Sequence, residues 1–506
     1  MKTLSGVDGA FLHLETPETP MHVGSLSLFE LPPGYKGNFF ADVKRQIRKR
    51  LGLVPVFTRK LAPMPLQFAN PAWVTQARVD LGYHVQHCML PAPGTRAQLE
   101  ACVGALHSEL LDRSQPLWQL TIIDGLESGL VGYYVKVHHA VLDGQAGVML
   151  AQALFDVTPE PRTIAPGAPL HGEHPGRAEL AAAALRHDAG QYIKLVRHLP
   201  DVVKALAGMF GARAPAPTKG QLGQNFSFGP KTALNVPITG ERGFAAVSIP
   251  MATLKQLAAA HEAKLNDVVM ALCSGALRRY LAAHGGIPKK PLIASMPISL
   301  RAPGNTDFTT QATLSLVNLN TQIADPVKRL LAIRDAAGAV KAMARQVSGV
   351  IPTDFPSIGV PWVLHGLASL YGRSGLAGAM PPVANVVISN VPGPQVPLYA
   401  AGARMATYWP LSIVEHGVGL NITVMSYAGA MGFGFTTARC AVPDAGELCT
   451  ALMAALEELV ARTRLDAPRK AAAPVKAAKP LKRPNARAAS GGVAPARGGR
   501  AGAQKP

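Results

Sequence analysis

Aromatic side chains are scarce in this chain. Phe, Tyr and Trp make up 6% of its 506 residues, while hydrophobic residues make up 48%, so aliphatic side chains and alanine must fill the cores. Cysteine is scarcer still: Cys88, Cys102, Cys273, Cys440 and Cys449 show no CxxC or other ligand spacing. An odd, unpatterned set argues against a disulfide framework and for reduced thiols in a cytoplasmic setting. The first nine residues lack the apolar core of a secretory signal. No run of about 18 residues is free of charge, proline or polar interruption, as a membrane span requires. The closest, residues 268–283, carries Arg278 and Arg279. Acidic residues are absent after Asp466, and the stretch beyond it holds ten of the nineteen net positive charges. That tail is rich in Ala, Pro and Gly and cannot bury enough apolar surface to offset its ordering entropy, so residues 466–506 are expected to be disordered. It has no aromatic residue to stack on a base, which disfavours nucleic acid as a partner. Its charge suits an anionic membrane or lipid surface instead.

What is present centres on seven residues, His138-His-Ala-Val-Leu-Asp-Gly144. Before them Val131, Tyr133, Val135 and Val137 alternate onto one face, the signature of a strand. If the strand continues, His139 joins that apolar face and His138 points the other way. Asp143-Gly144 then breaks the strand, and residues 145–155 are apolar enough for a buried helix. An imidazole at a strand end, with a carboxylate four residues on, is a plausible general base. A lone His in such a place is ordinarily structural. Two adjacent His on a strand face opposite sides, and no third ligand lies at a metal-binding spacing, so no metal is expected. The pattern HHxxxDG at a strand-to-turn junction resembles the active-site motif of the coenzyme A-dependent acyltransferase superfamily, which includes chloramphenicol acetyltransferase and peptide-synthetase condensation domains.

The length suggests two to four domains. Residues 25–30 read as a strand, 42–51 as a basic amphipathic helix, 95–111 as a helix and 121–123 as a strand. Trp118, in Pro116-Leu117-Trp118, lies beside a substrate crevice or plugs the core. Proline-rich residues 156–237 read as a linker holding helices at 179–199 and 201–210. A strand at 244–249 and a helix at 251–261 follow. Asn266 is well placed as the N-cap of a helix running to about residue 284, with Asp267 in its first turn. Residues 291–301 form a strand ending in Arg301. Residues 312–323 form another, 325–347 a helix, and 385–391 a strand stopped by Pro392-Gly-Pro394. In residues 417–427 Val418, Leu420, Ile422 and Val424 share one face and Asn421 and Thr423 the other. Ala428-Gly-Ala430 turns this strand into 431–437 as a hairpin. Residues 445–463 form a terminal helix.

Val7-Asp8 with Phe11-Leu12, the Thr-Pro-Met-His-Val-Gly run ending at Gly24, Pro116-Leu117-Trp118 and HHxxxDG occur in the order seen in the wax ester synthase/diacylglycerol acyltransferase family, which the chain resembles over about residues 1–155 and 225–465. The resemblance implies an α/β (α+β) fold of two chloramphenicol-acetyltransferase-like halves, with mixed sheets flanked by helices and an active-site tunnel at their interface. It implies acyl transfer from acyl-coenzyme A, as substrate and with no cofactor, to diacylglycerol or a long-chain fatty alcohol. His139 would be the base, His138 a supporting residue, and Asp143 an orienting or structural residue that pairs with Arg301, with Gly144 completing the motif. Asn266 and Asp267 matter for activity in that family. The sequence itself does not locate the donor to the oxyanion; Asn266, Asn421 and Thr423 are the candidates. The expected divisions are an N-terminal half at 1–180, a crossover at 181–240, a C-terminal half at 241–465 and the tail. A peripheral place on the inner face of the plasma membrane or on lipid inclusions is expected. Two other readings are a superfamily enzyme acting on a carrier-bound acyl group or another hydroxyl, and a non-catalytic lipid-binding protein. No Gly-x-Ser-x-Gly elbow is present, so a covalent acyl-enzyme is disfavoured.

Overall fold

The computed structural model describes residues 2–141, 144–165, 170–193, 228–299, 312–347, 358–373 and 381–463. Asp143, Arg301, the expected helix at 201–210 and the tail lie outside these residues. Fifteen strands are described: β1 (Lys2–Thr3), β2 (His22–Glu30), β3 (Arg59–Ala62), β4 (Ala72–Thr75), β5 (Val85–Met89), β6 (Trp118–Asp124), β7 (Val131–His138), β8 (Arg242–Pro250), β9 (Ile293–Ser299), β10 (Ala312–Asn318), β11 (Val386–Val391), β12 (Tyr399–Ala400), β13 (Ala403–Leu411), β14 (Leu420–Tyr427) and β15 (Ala430–Ala438). The helices are α1 (Gly6–Leu14), α2 (Phe39–Arg50), α3 (Leu81–His84), α4 (Arg96–Ser108), α5 (Gly144–Leu154), α6 (residues 177–193), α7 (Met251–Ala260), α8 (Leu265–Ala283), α9 (Pro326–Val347), α10 (Val360–Arg373) and α11 (Gly446–Thr463).

Two mixed six-stranded sheets carry the fold, in the orders β12-β13-β2-β7-β6-β5 and β10-β9-β11-β14-β15-β8, and a small third sheet runs β1-β4-β3. In the first sheet β7 is buried along all eight residues, because helices or strands cover both its faces. Val131, Tyr133, Val135 and Val137 pack with Phe29, Trp118 and Phe155 on one side. Tyr134 packs with Leu26, Leu99, Phe244 and Trp409 on the other. The second sheet is covered by α8, which is apolar all round from Val268 to Leu277 and is therefore buried all round. The β14–β15 hairpin closes as expected: Tyr427 pairs with Ala430, leaving Ala428 and Gly429, both at positive φ, as a two-residue turn.

The expected division at residue 241 does not apportion the sheets. β12 and β13 lie in the C-terminal half, yet they complete the first sheet, with β13 antiparallel to β2. β13 also crosses β15, where Gly432 and Gly434 leave room for the carbonyls of Tyr408 and Pro410; a Cβ on Gly434 would sit within van der Waals radii of the Pro410 oxygen. Two other expectations are corrected. α8 begins at Leu265 with Lys264 at its N-cap, so Asn266 does not cap it; the Lys264 N–H donates to Asp267 Oδ2 at 2.9 Å, and the cap lies two residues earlier than expected. β7 ends at His138, and His139 opens a short 3₁₀ turn, so strand parity does not apply to it.

An ion pair fixes the helix that follows the motif. Arg50 Nη2 donates to both oxygens of Asp156 at 2.6 and 2.8 Å, and Nη1 donates to the carbonyls of Ala153 and Leu154, both at 3.0 Å, at the C-terminal end of α5. The two side chains are 2% and 3% exposed. Removing one partner leaves the other charge buried, so Asp156→Ala should cost about 3–5 kcal/mol. Urea unfolding of the variant should show a lower midpoint, and an unchanged midpoint would contradict this assignment.

Candidate active site

The site is built where β7 ends beside β2. His22 of β2 pairs with His138 of β7, and beyond that pair each chain is held by one more backbone bond: His138 N–H to Leu117 O at 3.0 Å and His139 N–H to Met21 O at 2.9 Å. His138 Nδ1 accepts from the Ala140 N–H at 3.1 Å and so closes the turn. This bond assigns the proton of His138 to Nε2. That nitrogen lies 3.1 Å from Glu15 Oε2, an ion-pair distance outside the directional range of a hydrogen bond.

Glu15 was not singled out from the sequence. It is the C-cap residue of α1, and its side chain is 2% exposed. A carboxylate at a helix C-terminus opposes the helix dipole and needs compensation. Arg113 supplies it through Nη2 to Oε1 at 2.8 Å and to the Leu12 carbonyl at 2.7 Å, and the Met21 N–H donates to Oε2 at 3.0 Å. Burial pushes the Glu15 carboxyl up, but His138 and Arg113 outweigh it and bring it to about 2.

His139 is the member of the pair open to a ligand. Its ring stacks on Phe11 of α1, centroids 3.9 Å apart at 23°. Its Nδ1 is buried without a hydrogen-bond partner. Burial first, and the neighbouring His138 second, push His139 down to about 4 against the pull of its own backbone carbonyl. The imidazole is therefore neutral at pH 7 and able to accept a proton.

Behind His138 runs a row of buried polar groups on the same face of the sheet. His22 Nε2 donates to the His107 carbonyl at 2.7 Å, His107 Nδ1 accepts from Tyr134 Oη at 2.8 Å, and His107 Nε2 donates to Ser412 O at 3.2 Å. Lys136 Nζ donates to the carbonyls of Leu106 and Glu109, both at 2.8 Å, and so caps the end of α4. Burial pushes His107 down to about 3, His22 well below its ordinary value and Lys136 down to about 8. A lone lysine amid the valines and tyrosines of β7 was the available sequence signal for this row.

The other expected residues fall in three places. Trp118 is a core residue: 1% exposed, it stacks on His84 at 4.3 Å and donates its N–H to Phe57 O at 3.2 Å, so it offers no polar atom to a ligand. Asn421 and Thr423 are buried on β14, with Asn421 Nδ2 donating to Ile413 O at 2.8 Å and Thr423 Oγ1 to Asn421 Oδ1 at 2.9 Å. Both make protein hydrogen bonds, so neither stands as a free oxyanion donor in this arrangement. Asn266 accepts from Asn390 Nδ2 at 3.3 Å, which links α8 to β11, and Asp267 is spent on its cap. Among the described residues no group of three His, Cys, Asp or Glu side chains could hold a metal ion.

The catalytic-domain model of the wax ester synthase/diacylglycerol acyltransferase family matches residues 4–269, and the family's C-terminal domain model matches residues 310–460. The chain belongs to the wax ester synthase/diacylglycerol acyltransferase family. A putative diacylglycerol O-acyltransferase of Mycobacterium tuberculosis is 36% identical over 467 residues, covering 90% of this chain and 99% of the relative. A probable diacylglycerol O-acyltransferase of the same organism is 34% identical, covering 89% and 97%. The solved wax ester synthase/diacylglycerol acyltransferase from Marinobacter aquaeolei VT8 superposes with a TM-score of 0.67 at 29% identity, covering 92% of this chain and all of that one. The first condensation domain of the calcium-dependent antibiotic synthetase, at 14% identity and TM-score 0.53, shares the fold, covering 91% and 96%. As a family member the chain is an O-acyltransferase with the two-part α/β architecture expected of it.

The Glu15 pocket makes a prediction about stability. Its carboxyl titrates at about 2 in the folded chain, against an ordinary 4.5. It therefore contributes stability that is fully present above about pH 4.5 and is lost as the pH falls towards 2, on the order of 3 kcal/mol. Glu15→Gln should lower Tm at pH 7, and its gap to the parent should narrow on acidification through that window. Parallel Tm curves would contradict the pairing.

Proposed function

We propose that His139 acts as the general base in transfer of a long-chain acyl group from acyl-coenzyme A to diacylglycerol or a long-chain fatty alcohol. The observation that carries this is a neutral, half-buried imidazole at the end of β7, stacked on Phe11. A thioester is already activated, whereas an alcohol is a poor nucleophile at pH 7. His139 Nε2 takes the hydroxyl proton as the oxygen attacks the thioester carbonyl carbon. The tetrahedral intermediate collapses with breakage of the C–S bond, and the imidazolium returns the proton to the departing thiolate. The product ester and free coenzyme A balance the step, and the reaction draws on no metal or cofactor.

His138 and Glu15 position the base. Glu15 holds the Nε2–H face of His138, and His138 through its Nδ1 fixes the Ala140 N–H that sets the turn carrying His139. General base catalysis of this kind contributes about 10²–10⁴-fold. Thiol release with acceptor present should fall by about that factor in His139→Ala, and less in His138→Ala. A folded His139→Ala protein with the parent rate would sink the assignment. Because His139 titrates at about 4, kcat/KM should hold down to well below pH 6.5 and fall as the pH drops through about 4.

Asp143 is assigned a structural role, paired with Arg301 as in the superfamily. Asp143→Ala and Arg301→Ala should each lower Tm as well as activity. Loss of activity at unchanged Tm would instead favour a part in proton transfer.

The protein works at the surface of a membrane or lipid inclusion, since its lipid acceptors are nearly insoluble in water. No described helix is long and apolar enough to cross a membrane. The basic tail contributes adsorption to anionic surfaces, at about 1 kcal/mol per engaged cation and screened by salt within about 8 Å. A chain ending at Asp466 should keep acyl transfer on detergent-dispersed substrate and bind anionic vesicles more weakly than the full chain at low salt. Equal binding with and without the tail would remove it from this role.

A further inference from the structure

An exposed apolar patch lies beside the helix that carries Phe11. Leu66 is 88% exposed, Val363 60%, Trp362 57% and Ile358 40%. These residues come from two segments, 62–68 and 358–366, that contain no Asp, Glu, Lys or Arg. Two hydrogen bonds tie the segments together: the Trp362 side-chain Nε1 donates to Leu66 O at 3.2 Å, and the Gly359 N–H donates to Phe68 O at 2.7 Å. Next to them α6 presents Tyr192 and Ile193, 52% and 54% exposed, and Asp188 of α6 accepts from the Ile358 N–H at 2.6 Å.

Leu66 and Gln67 both stand at φ +52°. A leucine held in the left-handed region costs free energy, and here the cost turns its side chain outward into water instead of into a core. A tryptophan whose N–H is satisfied while its ring faces outward is the arrangement found where one side of a protein meets a lipid interface. A contiguous uncharged patch of this kind marks an interaction site. Its lack of charge argues against an anionic or cationic partner.

We propose that this patch is the lipid-facing lip of the enzyme, which inserts Leu66, Trp362, Val363 and Ile358 into the apolar layer of a neutral lipid surface. α10, which carries Trp362 and Val363, packs against α1. α1 in turn carries Phe11 against His139. The lip thus stands one helix away from the base. The inference rests on the acyltransferase reading for its purpose, but its binding step can be read separately.

Leu66→Gly and Val363→Ser together provide the test. Glycine favours the backbone angle at position 66, and serine at an exposed position leaves the core untouched, so the variant should fold. Full-length parent and variant are mixed with phosphatidylcholine vesicles at low and at high salt and sedimented, and thiol release is measured in lipid-free solution with hexanoyl-coenzyme A and butanol. The parent should bind at both salt concentrations, and the variant about tenfold less or weaker still at both, as expected from withdrawing one large and one medium apolar side chain. Soluble turnover should be equal in the two proteins. Failure of the parent to bind neutral vesicles, its release by salt, or equal binding of the variant would overturn the proposal. So would a dimeric parent and a monomeric variant in light scattering, because the patch would then be covered by a second copy. Absence of thiol release from both proteins, with vesicle binding as expected, would overturn the catalytic reading and leave the lip standing.

Discussion

The charge of Glu15 is what the active-site end of the molecule depends on. A carboxylate withdrawn from water at the end of a helix is tolerated only where cations and N–H groups surround it. Arg113, the Met21 N–H and His138 provide that surrounding, and each belongs to a different segment of the first half. The same contacts hold α1 against the end of β7, and α1 delivers Phe11 to the ring of His139. The place of the His139 ring thus relies on the buried Glu15 carboxylate.

Why His138 and His139 divide their roles follows from the turn. His138 still belongs to the strand ladder and faces the buried polar row, where His22, His107 and Lys136 leave no space for a ligand. His139 is the first residue outside the ladder and is only half-buried. One peptide unit separates a residue committed to structure from one available for chemistry.

Much of this was legible in the sequence, for identifiable reasons. The alternation of β7 and the Ala-Gly-Ala hairpin are local patterns, and local patterns survive folding; β7 ends at His138, ahead of the expected break at Asp143-Gly144, and Asp143 lies outside the described residues. Glu15 was not legible, because a glutamate ending a short helix reads as solvated until the partner segments are placed around it. The N-cap of α8 was misplaced because an Asn suited to capping lies two residues after the position that Asp267 actually completes. Trp118 was left between crevice and core by its sequence, and His84 and Phe57 put it in the core. β13 is not legible in the sequence: nothing within residues 403–411 reveals that they pair with residues 24–30.

That pairing shapes how the chain comes off the ribosome. β2 is made early, and the edge of it that faces β13 has no partner until residue 411 has been synthesised. An unpaired strand edge attracts other strands, and domains generally fold in order of emergence. Here the first half cannot finish before most of the second has appeared. A nascent chain of this protein therefore passes a long interval with an open β edge, and truncation anywhere before β13 yields a fragment primed for aggregation instead of a smaller working domain.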